Sequence, residues 1–196
     1  MPQKGKKKET HEEKEDEYLP FYQGIFSQWH HSTFTDPKLP EPYNKNKFTS
    51  CENYMMFRKA LLFKDVNSVQ KILQEHNCRK VKALGRKVKG FGEDSWNSHR
   101  EIIVVRGNQL KFSQNKTLRK KLLSTFPKKL VEASPRDRIW GIGIGVNHPN
   151  VQDPRFWRGE NLLGKCLDKA RTLIMKEKSR SLVSQEYDSN SDSDIE

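Results

Sequence analysis

Residues able to do chemistry are concentrated in one stretch of the chain, residues 130–145, which reads LVEASPRDRIWGIGIG. An apolar run that ends at Ser134-Pro135 is typical of a strand that stops at a turn. Asp137 follows this stop, where folds usually expose functional side chains. Glu132 lies within the run and is a weaker candidate than Asp137. The pattern predicts that a functional carboxylate is presented beside a turn, close to backbone that can approach a ligand.

A helix start is the competing interpretation of Asp137. Ser134, Pro135 and Asp137 fit an N-cap, a first-position proline and a first-turn acid. Trp140 and the alternating glycines that follow are unlike a helix continuation and favour a site. The spacing of these glycines is not that of a dinucleotide-binding loop.

The elements that must position this stretch are mostly helical. Apolar spacing predicts helices at about 50–63, 66–75, 96–105, 116–125 and from 162 onward. Asn161 is predicted to cap the last helix, and Leu130–Ala133 to form a short strand. Trp29, Trp140 and Trp157 are interpreted as structural.

These elements predict a mainly α fold, an α+β arrangement with a few short strands, in a single domain spanning residues 18–180. Residues 1–17 and 181–196 are charged and poor in apolar residues, and we expect both to be disordered tails, the second of them acidic.

The folded region is more basic than the whole chain suggests. The chain carries a formal net charge of +12, to which residues 1–17 contribute −1 and residues 186–196 contribute −5, so residues 18–185 carry +18. This surplus favours a polyanionic partner, such as nucleic acid or a phosphorylated metabolite. A lysine-rich soluble protein is the simpler alternative.

Cys51, Cys78 and Cys166 lack the spacing of metal ligands, and His30-His31 has no partner cluster. We therefore expect a reducing compartment, no disulfide framework, no metal site and no cofactor. The sequence also lacks a membrane-spanning run and a signal peptide. These features predict a cytoplasmic protein, with the Lys4–Lys8 cluster as an alternative nuclear signal.

Six short motifs in chain order resemble the NADAR family, also called YbiA-like, over nearly all of residues 21–175. They are ExYMxxxKA at 52–60, GRxVxxF at 85–91, WxxxR at 96–100, KFxQNxxL at 111–118, LVEASPxDxIWGIG at 130–143 and WRGxNLLG at 157–164. Each motif alone is weak, but six in order argue against coincidence. The resemblance implies a YbiA-like domain that hydrolyses N-glycosidic bonds without a metal.

The resemblance also implies roles for Glu52, Trp96 and Asp137, each of which lies in a matching motif. Breaking a C1′–N bond builds positive charge on the sugar, which a carboxylate stabilises while a second acid protonates the departing nitrogen. The hypothesis places Asp137 nearest the anomeric carbon, Glu52 as its acid/base partner and Trp96 as a stacking platform. The order of the two carboxylates could be reversed.

Structural alternatives exist for the same residues. Thr49-x-x-Glu52 fits a capping box at a helix start, and Trp96 fits a core residue. Arg86, Lys111 and Asn115 are further candidates for substrate binding, Arg86 because it lies beside a glycine turn.

Two substrate classes are consistent with the resemblance. Members of the family act on early riboflavin-pathway intermediates, in which ribose phosphate is joined to a pyrimidine, and others remove ADP-ribose from guanine. The charge of the folded region favours an ADP-ribosylated guanine. In one form of this hypothesis the modified guanine is part of a nucleic acid. A non-catalytic module that binds ADP-ribose or nucleic acid is the alternative from another class.

Overall fold

The computed structural model describes the backbone of residues 17–191 and the side chains of residues 17–179. This part contains β1 (Tyr18–Phe21), β2 (Phe34–Thr35), β3 (Lys47–Phe48), α1 (Cys51–Leu62), α2 (Val66–Gln74), α3 (Cys78–Arg86), α4 (Glu93–Ser113), α5 (Lys116–Leu123), β4 (Lys129–Glu132) and α6 (Leu162–Ser191). The predicted mainly α fold with a few short strands is confirmed. The backbone of α6 is helical past the predicted domain boundary at residue 180. The predicted tails at residues 1–16 and 192–196 lie outside the described residues.

Helix α1 lies at the centre of the domain, with α2, α3 and α4 packed around it. Tyr54, Phe57 and Ala60 are completely buried along α1. Phe34 and Phe48, from the antiparallel pair β2–β3, pack against the Tyr54 ring at centroid distances of 5.8 and 5.0 Å. Buried aromatic side chains contribute large apolar areas, so this cluster fixes the position of α1.

Helix α3 was not predicted, because Gly85 was interpreted as part of a turn. Gly85 instead lies within the helix, where an added Cβ would be 1.9 Å from the Met56 sulfur. The missing side chain therefore lets α3 pack closely on α1. Helix α4 also begins earlier and ends later than predicted, with Glu93 and Asp94 in its first turn, where acids stabilise a helix.

The strands β1 and β4 pair in parallel, with Leu19 opposite Leu130 and Phe21 opposite Glu132. Because parallel strands run in the same direction, the chain leaves both at the same edge. The loop 22–30 and the turn that follows Glu132 therefore begin side by side.

Asn161 does not cap α6 with its side chain, which corrects the prediction. Its Oδ1 accepts the backbone N–H of Glu132 at 2.9 Å, and its Nδ2 donates to the Leu130 carbonyl at 3.0 Å. The N–H groups of residues 161–163 instead donate to the carbonyl oxygens of residues 139–141 at 3.0–3.2 Å. The turn after β4 thus satisfies the first amides of the helix, and Asn161 joins that helix to β4.

Replacing Asn161 should destabilise the domain. Asn161→Ala leaves a buried amide of Glu132 and a carbonyl of Leu130 without partners, and we expect a loss of about 2–4 kcal/mol in the free energy of unfolding. Asn161→Gly loses the same bonds but relieves the positive φ of 53°, so it should be about 1 kcal/mol more stable than the alanine variant. Urea unfolding measures both, and wild-type stability in both would contradict the described link.

Candidate active site

A cleft of about 540 Å³ opens between the loop 22–30, the helices α1, α3 and α4, and the turn after β4. This volume lies in the range of small-molecule sites. Its lining consists of Tyr22, Gln23, Gly24, Ser27, Gln28, Trp29, His30, Glu52, Met55, Met56, Lys59, Lys82, Gly85, Arg86, Trp96, Glu132, Ser134, Asp137 and Trp140. The structure therefore brings together four predicted site residues, Glu52, Arg86, Trp96 and Asp137.

Glu52 lies in the first turn of α1 and is only 3% exposed. Its Oε1 has no hydrogen-bond partner within the described residues. The residue that caps α1 is Ser50, whose hydroxyl accepts the Asn53 N–H at 3.1 Å. The capping-box alternative for Glu52 is therefore not observed, and one oxygen of its carboxyl, Oε1, is left unpaired in the cleft.

Burial raises the pKa of Glu52 to about 7, and the nearby charge of Asp137 acts in the same direction. Lys82, a side-chain hydrogen bond from Trp29 and, more weakly, Arg86 oppose this shift. A carboxyl with this pKa can be protonated or ionised near neutral pH, as acid–base catalysis requires.

Glu132, at the end of β4, is the second buried carboxyl of the cleft. Its Oε2 has no hydrogen-bond partner among the described residues. Burial raises the pKa of Glu132 to about 7, followed by the charge of Asp137, while Lys82 lowers it and Glu52 raises it further. Glu132 was the weaker candidate in the sequence, because an acid inside a strand-like run gives no sign of which way it faces.

Asp137 is half-buried and lies beside a turn, as predicted, so the competing interpretation as a helix start is not observed. Its Oδ1 accepts the N–H groups of Ile139 at 3.0 Å and Trp140 at 2.8 Å. An added Cβ at Gly141 would lie 2.9 Å from the Glu132 carbonyl oxygen. The turn can therefore fold back on β4, which holds Asp137 and Glu132 in the same wall.

Aromatic rings line much of the remaining surface. Trp96 is half-buried, with the Lys59 ammonium 5.4 Å from its ring centre, and burial lowers the pKa of Lys59. Trp29 and Trp140, which were interpreted as structural residues, also line the cleft, and Trp140 packs against the core as well. Trp157 lies outside the lining and packs edge-on against Tyr18 at 5.1 Å.

Lys82 and Gln28 contribute to the cleft but were missed in the sequence. Lys82 precedes Arg86 by one helical turn, so the two cations share a face of α3; recognition of that helix would have identified Lys82. Gln28 is buried, yet neither its amide nitrogen nor its amide oxygen has a partner within the described residues. A buried, unpaired amide suits the donor and acceptor edge of a ligand.

Lys111 and Asn115 do not line the cleft. The Lys111 side chain is fully buried, and its Nζ donates to the carbonyls of Ile25 at 2.7 Å and Ser27 at 3.1 Å. Asn115 caps α5 by accepting the Leu118 N–H at 3.0 Å. Both residues of the KFSQN motif therefore have structural contacts: Asn115 caps a helix, and Lys111 anchors the loop that carries Gln28.

Within the part of the chain that the structure describes, no group of three or more His, Cys, Asp or Glu residues is arranged to hold a metal ion. In the same part, no helix has the length and apolar character needed to cross a membrane.

Replacing Glu52 with glutamine should stabilise the protein at neutral and alkaline pH. Because the folded pKa of about 7 exceeds the ordinary value of 4.5, the folded state binds more protons than the unfolded state between these pH values. The wild type therefore loses stability as the pH rises from about 4.5 to 7. We expect Glu52→Gln to be roughly 1–3 kcal/mol more stable than the wild type at pH 8.

Melting temperatures measured from pH 4 to 8 check this expectation, with Glu101→Gln on the outer side of α4 as the control. The gain of Glu52→Gln should grow with pH up to about 7 and then level off. A constant difference at every pH would show that burial does not raise the pKa of Glu52.

Similar proteins have been characterised in a virus and a plant. The chain is 45% identical over 147 residues to the N-glycosidase R617 of Acanthamoeba polyphaga mimivirus, covering 75% of this chain and 85% of R617. It is 32% identical over 146 residues to the chloroplastic riboflavin biosynthesis protein PYRR of Zea mays, covering 72% of this chain but 20% of PYRR.

The chain also resembles a solved structure and matches a family model. The NMR structure of the Escherichia coli protein YbiA aligns with a TM-score of 0.65 and 25% identity, over 83% of this chain and 88% of YbiA. The family model described as the NADAR domain matches residues 14–175. The protein with this cleft of carboxyls and aromatic rings therefore belongs to the NADAR domain family.

Proposed function

We propose that this protein is an N-glycosidase, a hydrolase acting on N-glycosyl bonds, and that its substrate is an ADP-ribosylated guanine. One observation carries the proposal: the Glu52, Glu132 and Asp137 carboxyls line one cleft together with indole rings. The relative R617 is itself named an N-glycosidase. Carboxyls stabilise and protonate the reacting groups in glycoside hydrolysis, and aromatic rings hold the base.

Asp137 acts beside the anomeric carbon. Two backbone N–H groups hold its Oδ1, while Oδ2 has no hydrogen bond to a described residue. Amide donors suit an ionised carboxylate, and a fixed negative charge stabilises the oxocarbenium-like sugar as the C1′–N bond breaks. Preorganisation by the turn means that this charge needs no reorientation during the reaction.

Glu52 supplies the acid–base function. With a pKa of about 7, it can hold a proton near neutral pH and give it to the departing nitrogen, which takes the electron pair of the broken bond. Water then adds to C1′ and gives its proton to a carboxylate of the cleft. Trp96 stacks on the base, which keeps the nitrogen near its proton donor.

The cations of the cleft favour a substrate with a diphosphate. Lys59, Lys82 and Arg86 line the same cavity as the carboxyls, and ammonium and guanidinium groups bind phosphate oxygens. A riboflavin-pathway intermediate with a single phosphate would need fewer positive groups than this cleft provides.

The surface outside the cleft extends this positive charge. Arg79, on α3, and Lys87, just after its end, are exposed and form no salt bridge with a described residue, and the same holds for the exposed Lys120 and Lys121 on α5. The charge of Lys121 acts on His30, which lines the cleft. Unpaired cations on both helices suit the phosphates of a nucleic acid strand whose modified base enters the cleft.

A riboflavin-biosynthesis intermediate is the second candidate. The sequence similarity to PYRR, which is named a riboflavin biosynthesis protein, favours it. Both candidates share the C1′–N bond and differ in the number of phosphates and the size of the base. A direct assay with both substrates separates them.

The expected result of that assay is release of ADP-ribose from a guanine-ADP-ribosylated oligonucleotide, with little release of base from a ribosylamino-pyrimidine phosphate. Chromatography of the products measures both. Release from the pyrimidine compound alone would favour the second candidate. Tight binding of ADP-ribose with release from neither substrate would identify a non-catalytic binding module and overturn the enzyme.

Replacing the carboxyls tests the assigned roles. Asp137→Asn and Glu52→Gln should each lower kcat by about 10²–10⁴-fold, the usual contribution of such groups. Asp153→Asn, at an exposed pair with Arg155 outside the cleft, serves as a matched control with wild-type kcat. Full hydrolysis by both cleft variants would rule out the assignment.

Neutralising the cations outside the cleft tests whether the substrate is carried on a nucleic acid. Variants with Lys120→Gln and Lys121→Gln, or with Arg79→Gln and Lys87→Gln, should bind the modified oligonucleotide more weakly and with a shallower dependence on salt. Hydrolysis of the free ADP-ribosylated nucleoside should stay unchanged, because none of these four residues lines the cleft. Equal salt dependence in wild type and variants would show that these helices do not contact phosphates.

A further inference from the structure

Two carboxyl oxygens in the cleft are buried without a partner within the described residues. One is Oε1 of Glu52, on α1, and the other is Oε2 of Glu132, on β4. Buried carboxyl oxygens are normally hydrogen-bonded, so each unpaired oxygen calls for an explanation. Since both residues line the cavity, substrate, water or a shared proton can supply the missing partner.

The two carboxyls differ in their access to solvent. Glu52 is 3% exposed, whereas Glu132 is only partly buried and lies at the edge where the chain leaves β4. Burial favours the neutral form of a carboxyl. Glu52 is therefore the better holder of a proton, while Glu132, which lines the cleft and is less buried, is easier to ionise.

The surroundings of Glu132 fit an ionisable group. The ammonium of Lys82 stabilises its negative charge, and the negative charges of Asp137 and Glu52 oppose it. A protonated Glu52 removes one of these repulsions. Glu132 therefore ionises more readily when Glu52 is protonated.

The backbone of Glu132 is also held firmly. Its N–H is accepted by Asn161 Oδ1 at 2.9 Å, and its carbonyl accepts the N–H groups of Ser134 and Ile142, both at 2.9 Å. A general base must be positioned to take a proton from water at the moment of attack. Three backbone hydrogen bonds fix the Cα of Glu132 in the wall that it shares with Asp137.

We propose that Glu132 is a further catalytic residue, the general base that activates the attacking water, while Glu52 is the general acid. This inference rests on the proposed function and assigns the general acid and the general base to different residues. Water forms a bond to C1′ through its oxygen and gives a proton to the Glu132 carboxylate. The C1′–N bond breaks, its electron pair goes to the departing nitrogen, and Glu52 supplies that nitrogen with a proton.

A general base at position 132 predicts a specific response to azide, an anionic nucleophile that needs no base. Glu132→Gln and Glu132→Ala should lower hydrolysis by about 10²–10⁴-fold. Adding azide should restore base release by at least tenfold and yield a ribosyl azide, detected by mass spectrometry. Glu52→Gln should show no rescue, because the departing nitrogen still lacks its proton.

The pH profile supplies an independent readout. Wild-type kcat should fall on the acidic side as the base becomes protonated, and Glu132→Gln should lose this acidic limb. Glu101→Gln, at an exposed salt bridge with Lys169 outside the cleft, should behave as the wild type. Circular dichroism confirms folding, and the isosteric glutamine variant covers the case in which the alanine variant does not fold.

Either of two results would overturn the assignment: wild-type hydrolysis by Glu132→Gln, or a folded, slow Glu132→Gln that azide does not accelerate. Both leave the N-glycosidase itself intact, since the wild type would still cleave its substrate. If the wild type releases base from neither substrate, the proposed function fails first, and the role of Glu132 fails with it.

Discussion

The physical constraint on this structure is the burial of two carboxyls, those of Glu52 and Glu132, whose unpaired oxygens line the cleft. Burial of Glu52 and Glu132 favours their neutral forms and costs stability at neutral pH. The compensation comes from the opposite side of α1, where Tyr54 and Phe57 are completely buried among aromatic neighbours. Helix α1 therefore carries both one of the two destabilising carboxyls, that of Glu52, and part of the core that offsets them.

Two buried polar side chains convert this core into a cleft of defined shape. Asn161 binds the backbone of β4, and Lys111 binds two carbonyls of the loop 22–30. Each satisfies main-chain groups that irregular segments would otherwise leave unpaired in the interior. The strand end that carries Glu132 and the loop that carries Gln28 are therefore each tied to a helix by such a side chain.

Much of this architecture could be predicted from the sequence. Apolar spacing located α1, α2, α5 and the start of α6, and motifs spread along the chain pointed to Glu52, Trp96 and Asp137. Helix α3 was hidden by Gly85, whose meaning depends on the sulfur of Met56 packed against it. Lys111 was misread because the sequence shows a lysine but not the carbonyls around it. Long-range contacts decide such cases, and a single sequence does not display them.

The parallel pairing of β1 with β4 has a consequence for how the protein is made. The two strands are separated by more than a hundred residues, and β4 is fixed by Asn161, further along the chain. Contacts this distant in sequence form late, because closing the intervening loop costs entropy. A growing polypeptide can build the aromatic cluster of α1 well before its carboxyls meet. We therefore expect the cleft to be complete only after the last helix has left the ribosome.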